Sequence, residues 1–132
     1  MIVVDASILT SFILMEHGYE KITAYIRDSM SVDHILKEAG NAIWKAYIKG
    51  YIAERDASER FLNLIKLTRH VMKLINETEL IGEAGEIAIK NKISLYDSLY
   101  IALALREKAK LLTLDIVQAE AAERCGVEVI RV

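Results

Sequence analysis

The stretch MIVVDASIL, residues 1–9, contains the pattern on which the rest of the chain is built. Ile2–Val4 is a short β-branched run that predicts a buried strand, and this run stops at Asp5. Apolar residues return at helical spacing from Ile8 onward, which predicts a helix with Ser7 as its N-cap. A buried strand that ends in a carboxylate and leads directly into a helix is typical of α/β proteins with a parallel sheet.

The same alternation continues to the end of the chain. Further strands are predicted at about 30–32, 71–75, 110–114 and 127–132, and further helices at about 19–27, 35–47, 54–66, 79–90, 94–105 and 117–124. Asp33 and Ser94 are the predicted N-caps of two of these helices. Ile81, Ala84, Ile87 and Ala88 are expected to face inward, and the apolar run 99–105 predicts a helix buried on most sides. The sequence therefore predicts one domain, residues 1–132, with an α/β sandwich around a mostly parallel sheet.

Composition narrows the classes of function. The 132 residues include 17 Lys or Arg and 19 Asp or Glu, a net charge of −2, and only one cysteine. A single cysteine excludes an intramolecular disulfide framework, and the longest apolar run is far shorter than the roughly 20 residues of a membrane helix. We therefore expect a cytoplasmic protein with no membrane segment. Binding of nucleic acid by a chain this acidic would require local basic clusters or bound cations.

Carboxylates recur where the parallel sheet is expected to have its ligand-binding crevice. Asp5 and Asp115 each end a predicted strand, while Glu38 and Asp97 lie early in helices that start from the same edge. Ligands of parallel sheets bind outside the carboxyl ends of the strands. Four neighbouring carboxylates repel one another unless a cation lies between them, and carboxylate oxygens suit Mg²⁺ or Mn²⁺.

Each of these residues also has a purely structural interpretation. Asp5 or Ser7 could act only as a helix cap, Ser94 and Asp97 approximate a capping box, and Asp115 could simply end a strand. Other chemistries have less support. The residues that zinc or nucleophilic catalysis would need are scattered: His17, His34, His70 and Cys125. No glycine-rich phosphate loop follows the first strand, so a dinucleotide or P-loop site is disfavoured.

Four segments together resemble the PIN-domain ribonucleases, and in particular the VapC-like toxins of toxin–antitoxin pairs. They are Asp5-Ala6-Ser7, Glu38-x-x-Asn41, the stretch YDSLYIALA at residues 96–104, and LTLD at residues 112–115. The resemblance covers nearly the whole chain. It implies a three-layer α/β/α sandwich whose five-stranded sheet has the order 3-2-1-4-5.

The resemblance also implies an activity, a site and partners. Asp5, Glu38, Asp97 and Asp115 would be the catalytic, metal-binding carboxylates, supported by Ser7, Asn41 and Thr113. The expected activity is Mg²⁺- or Mn²⁺-dependent endonucleolytic cleavage of RNA, and the expected partners are a second copy of the chain and a small cognate antitoxin. The chain departs from the family pattern in lacking a proline before Glu38 and a basic residue after Asp115.

Side chains that could contact RNA have alternative roles. Candidate phosphate contacts are Arg27, Lys37, Lys45 and Lys49, and candidate stacking residues are Trp44, Tyr47, Tyr96 and Tyr100. The lysines could equally form a solvated helix face. The aromatic residues, together with Tyr25 and Tyr51, could equally belong to the core or to a protein interface.

Two other functions remain compatible with the sequence. One is a receiver-like signalling domain, which shares the parallel α/β layout and a Mg²⁺ site but would need an acidic pair after its first strand. The other is a PIN fold retained as a binding module without useful catalysis.

Overall fold

Strands and helices alternate along the chain as the sequence predicts. The computed structural model describes all 132 residues. Its elements, in order, are β1 (Ile2–Val4), α1 (Ala6–Ile13), α2 (Glu20–Ile26), β2 (Met30–Val32), α3 (Ile35–Ile48), α4 (Glu54–His70), β3 (Lys73–Ile75), α5 (Ile81–Asn91), α6 (Leu95–Glu107), β4 (Lys110–Leu112), α7 (Ile116–Arg124) and β5 (Val129–Ile130). A single 3₁₀ turn, Glu77–Glu79, connects β3 to α5.

The five strands form one parallel sheet in the order β3-β2-β1-β4-β5. This confirms the predicted α/β sandwich and its 3-2-1-4-5 order. The order also excludes the receiver-like alternative, because that class of doubly wound fold has the order 2-1-3-4-5. Val4 of β1 lies beside Leu112 of β4, so the residues that follow these two strands emerge side by side at the same edge.

Helices cover the sheet in two packed groups. Helices α1 and α3 pack against each other and α3 packs against α4, while α6 packs against β1, β2 and β4 and is itself covered by α5. Residues 99–104 of α6 are all buried, which confirms the prediction of a central helix, whereas Leu105 is partly exposed. No helix of the protein is both long enough and apolar enough to cross a membrane.

Two of the predicted N-caps are wrong, because neighbouring polar side chains take different roles. Helix α1 begins one residue after Asp5, whose carboxylate accepts a hydrogen bond from the Ile8 amide, so Asp5 and not Ser7 is the cap. Helix α3 has no side-chain cap, since the Asp33 carboxylate accepts instead from the distant Glu77 amide at 3.0 Å. Ser94 caps α6 as predicted.

Several boundaries differ from the predictions for reasons of packing. Strand β5 covers only Val129–Ile130, because only these two residues pair with β4, at Leu111 and Leu112. Strand β3 begins at Lys73, since α4 continues to His70. Ile81 is largely exposed and does not face inward as predicted, because the preceding residue, Leu80, occupies the fully buried position.

Candidate active site

Asp5 lies at the end of the central strand β1 and is 3% exposed. Its Oδ1 accepts hydrogen bonds from the Ser7 hydroxyl at 2.5 Å and the Ile8 amide at 3.2 Å, and its Oδ2 accepts one from the Thr113 hydroxyl. A buried carboxylate is costly unless its oxygens are hydrogen-bonded, so these donors hold Asp5 in one orientation.

The two hydroxyl residues that orient Asp5 also connect β1 to the segment after β4. Ser7 Oγ accepts from the Leu114 amide at 2.9 Å, and Thr113 Oγ1 accepts from the Asp115 amide at 3.0 Å. The resemblance gives Ser7 and Thr113 supporting roles, and both contact the Asp5 carboxylate directly. The fold therefore ties the positions of Asp5 and Asp115 together through two short side chains.

Glu38 lies in the first turn of α3, just beyond the end of β2. Its Oε1 accepts a hydrogen bond from the Tyr100 hydroxyl at 2.6 Å and lies 3.4 Å from His34 Nε2. Tyr100 is buried on α6, one turn after Asp97, so this bond connects the two helices that carry Glu38 and Asp97.

Asp97 and Asp115 are placed by helix starts. The Asp97 amide donates to the Ser94 hydroxyl at 3.1 Å, which fixes the first turn of α6. Asp115 is the N-cap of α7, and its Oδ1 accepts from the amides of Val117 and Gln118 at 2.9 and 3.2 Å. Since both capping bonds end on Oδ1, the structural role of Asp115 leaves its second oxygen available.

The four carboxylates influence one another electrostatically. Burial raises the pKa of Asp5 to about 6 against the opposing effect of its hydrogen bonds, and the negative charge of Asp97 adds to the rise. Burial also raises the pKa of Asp97, and the charges of Asp115 and Glu38 raise it further. The pKa of the Tyr100 hydroxyl is raised by burial and by Glu38, so this group remains a donor at neutral pH.

The chemistry of the site suits a hard divalent cation, although no chelate is preformed. No three His, Cys, Asp or Glu side chains lie close enough together to hold a metal ion. Mg²⁺ keeps several of its waters and needs only one or two protein carboxylates together with substrate phosphates. A donor set made only of oxygen atoms, with excess negative charge, fits such an ion and does not fit zinc.

A groove of about 440 Å³ extends from Glu38 between α3 and α6. Its lining includes Asn41 and Lys45, which follow Glu38 on one face of α3, and Tyr96 of α6. Of the four basic residues predicted as phosphate contacts, only Lys37 and Lys45 line this groove. Trp44, Tyr47 and Tyr51 are exposed on or just after α3, so they are not core residues, and none of them lines the groove.

Sequence reasoning left two contacts of Glu38 unrecognised. The sequence leaves the role of Tyr100 open and gives His34 only as one of several scattered histidines, yet both lie against the Glu38 carboxylate. His34 is buried one turn before Glu38, and Tyr100 follows Asp97 at i+3. Helical spacing from a predicted site carboxylate is the signal that could have identified both residues.

Comparison with known proteins shows the family to which this fold belongs. The PIN-domain family model matches residues 2–124. The chain is 30% identical over 122 residues to Ribonuclease VapC3 of Pyrobaculum aerophilum, an alignment that covers 90% of this chain and 92% of the relative.

Solved structures share the fold at lower sequence identity. PAE2754 from Pyrobaculum aerophilum superposes with a TM-score of 0.74 at 23% identity, covering 97% of this chain and 82% of the other. VapC20 of Mycobacterium tuberculosis, described as a toxin that cleaves the sarcin-ricin loop, gives 0.71 at 17% identity over 92% and 95% of the two chains. FitAcB from Neisseria gonorrhoeae superposes with a TM-score of 0.63 at 17% sequence identity, covering 99% of this chain and 97% of the other. With the family model spanning almost the whole sheet and its helices, the chain belongs to the PIN-domain family.

Proposed function

We propose that this protein is a Mg²⁺- or Mn²⁺-dependent endoribonuclease and the toxin of a VapBC-type toxin–antitoxin pair. The main support is that Asp5, Glu38, Asp97 and Asp115 lie at the starts of four different helices of a PIN fold, and that three of these helices directly follow parallel strands at the carboxyl edge of the sheet. Their mutual electrostatic influence and the 30% identity to a VapC ribonuclease add to this support.

The four carboxylates are the proposed metal ligands, and the surrounding groups set their orientation. Ser7 and Thr113 hold Asp5 through their hydroxyls, and Tyr100 holds Glu38. Asn41 lines the groove one turn after Glu38, where its amide is available to the substrate. When bound, a divalent cation supplies Lewis-acid polarisation of the scissile phosphate and lowers the pKa of water. The protein contributes ionised carboxylates, fixed by buried donors, at the place where the phosphate binds.

Cleavage of RNA by purified protein tests this proposal against the alternative of a binding module without catalysis. We expect Mn²⁺ to support cleavage and Asp97→Asn to reduce its rate by at least about 100-fold, a typical loss when one electrostatic group is removed from an active site. Asp28→Asn is the matched control, because Asp28 precedes β2 and lies at the opposite edge of the sheet. Equal cleavage by the parent and by Asp97→Asn, or no cleavage by the parent, would contradict the proposal.

We further propose that the protein acts in the cytoplasm as a homodimer and is inhibited by a small antitoxin. The homodimer and the antitoxin are expected from the VapC resemblance. Exposed apolar side chains support a role in protein contacts. On and after α3 these are Trp44, Tyr47, Ile48 and Tyr51, at helical spacing, and on α4 they are Phe61, Leu62 and Ile65. Sedimentation equilibrium should give twice the chain mass for the parent, and a monomer at all accessible concentrations would contradict the dimer.

The antitoxin is tested by adding the product of an adjacent open reading frame to the RNA cleavage reaction. We expect stoichiometric inhibition and a stable complex. Undiminished cleavage in the presence of every adjacent product would contradict the assignment as a toxin while leaving the nuclease activity in place.

A further inference from the structure

The groove beside Glu38 has two walls of different chemistry. Helix α3 contributes Glu38, Asn41 and Lys45, which succeed one another along a single helical face. Helix α6 contributes Leu95, Tyr96 and Leu99. A polar wall that begins at Glu38 and ends at Lys45 therefore faces a wall of apolar and aromatic groups.

Tyr96 presents a supported aromatic surface at this groove. Tyr96 is 56% exposed. The next residue in the chain, Asp97, belongs to the candidate metal site. The ring lies against the buried His34 ring, with centroids 4.5 Å apart and planes inclined by 32°. Contact between two aromatic rings at this distance restricts an exposed aromatic side chain. Tyr96 is thus held in place while more than half of its surface remains open to a ligand.

The groove contains two lysines, and their surroundings differ. Lys37 Nζ is 3.1 Å from Glu77, and Glu77 is itself fixed through its backbone amide to Asp33. The hydrogen bond from Lys37 lowers the pKa of Glu77, which favours the carboxylate form that holds this contact. The Lys45 ammonium group, in contrast, is in none of the protein's ion pairs. Lys45 is therefore the groove cation that can bind an anion without first breaking a contact.

We propose that this groove is a nucleotide subsite in which a base stacks on Tyr96 and a neighbouring phosphate binds Lys45. The inference rests on the proposed ribonuclease function and names residues that bind a nucleotide flanking the scissile phosphate. Base–aromatic stacking needs an unstacked base, so the subsite takes single-stranded RNA and rejects the same sequence in a duplex. The subsite does not select one base over another by hydrogen bonding, because every base has a face that can stack on an aromatic ring.

Binding and cleavage of a labelled single-stranded RNA 10-mer test the stacking residue. In an Asp97→Asn background, which limits cleavage, Tyr96→Leu should weaken binding by at least about fivefold, the lower end of the range for loss of one stacked base. In the otherwise unaltered protein, Tyr96→Leu should raise KM by a similar factor with a smaller change in kcat. Tyr96→Phe keeps the ring and should restore both quantities to within about twofold of the parent.

Tyr25→Leu is the matched control, since Tyr25 is partly exposed on α2 and lies outside the groove. It should leave RNA binding unchanged. The subsite is refuted if Tyr96→Leu binds RNA as the parent does, or if Tyr25→Leu weakens binding equally. When the parent cleaves RNA and Tyr96→Leu behaves identically, only the subsite fails. When the parent neither binds nor cleaves RNA, the proposed function fails with it.

The phosphate contact is tested by the salt dependence of binding. Each phosphate of a single strand that a basic side chain neutralises contributes about 0.7 to the slope of log affinity against log salt concentration. Lys45→Gln should reduce the slope by about this amount, whereas Lys49→Gln, which alters a lysine outside the groove, should leave it unchanged. Equal slopes for the parent and Lys45→Gln would refute the phosphate contact.

Discussion

Hydroxyl groups orient two of the site carboxylates. Asp5 is held by Ser7 and Thr113, and Glu38 is held by Tyr100. The carboxylates themselves could be predicted from the sequence, because acidic residues after strands of a parallel sheet gather at one edge. Tyr100 could not, because its hydrogen bond to Glu38 spans 62 residues of sequence and depends on how α3 packs beside α6.

Replacement of Tyr100 by phenylalanine tests its positioning role. We expect Tyr100→Phe to fold and to lose only about 1 kcal/mol of stability, because Glu38 is near the surface and water can replace the lost donor. We expect Mn²⁺ affinity, measured by calorimetric titration, to fall by about 10- to 100-fold, as is typical when a group that orients a metal ligand is removed. Unchanged affinity in the folded variant would show that the hydrogen bond is only structural.

The buried carboxylate of Asp5 predicts an unusual pH dependence of stability in the absence of metal. Its folded-state pKa of about 6 exceeds the ordinary value of 3.8. The folded state therefore binds the proton more tightly than the unfolded state. The stability that this group contributes is complete below about pH 4 and is lost as the pH rises through about 6. The loss is about 3 kcal/mol, because one pKa unit corresponds to about 1.4 kcal/mol.

Comparison with Asp5→Asn isolates this effect, since asparagine cannot ionise. In EDTA, the free energy of unfolding of Asp5→Asn relative to the parent should increase by about 2–3 kcal/mol between pH 4 and pH 7. Urea denaturation at several pH values measures this difference. Excess Mn²⁺ at pH 7 should then stabilise the parent and not the variant. A difference that stays constant with pH would contradict the assigned pKa.

At the level of elements, helix starts place the site carboxylates. Asp5, Glu38, Asp97 and Asp115 are all helix caps or first-turn residues, and they follow or face the carboxyl ends of strands. The sequence predicted every helix and strand that carries them. It predicted Ser94 as the cap of α6 but not the cap of α1, because the choice between Asp5 and Ser7 depends on contacts with Thr113 and Leu114, more than 100 residues away.

The cap of α6 provides a test at this scale. Ser94→Ala removes the acceptor for the Asp97 amide and should cost about 1 kcal/mol of stability, a typical value for loss of an N-cap. The corresponding decrease in Tm is about 3–5 °C for a domain of this size. Ser94→Thr keeps a hydroxyl acceptor and should lie close to the parent. A decrease of the same size in both variants would show that the hydroxyl acceptor for the Asp97 amide is not the source of the lost stability.

For the molecule as a whole, the buried strands and the central helix α6 made the architecture predictable. Residues 3–4 and 99–104 are buried in the core, and this burial requires largely apolar side chains that are recognisable in the sequence. Edge elements were predicted less well, since β3 and β5 pair on one side only and their lengths follow from the neighbouring strand. The side-chain positions at the site were also predicted less well, because they depend on distant contacts and on the charge balance among four acidic residues.

The central claim is that carboxylates from four separate parts of the chain bind divalent metal together. An anomalous difference map from crystals soaked in Mn²⁺ tests it most directly. We predict a peak at the carboxyl edge of the sheet, contacted by oxygens drawn from Asp5, Glu38, Asp97 and Asp115. An empty edge at saturating Mn²⁺, or a peak bound only elsewhere on the molecule, would contradict it.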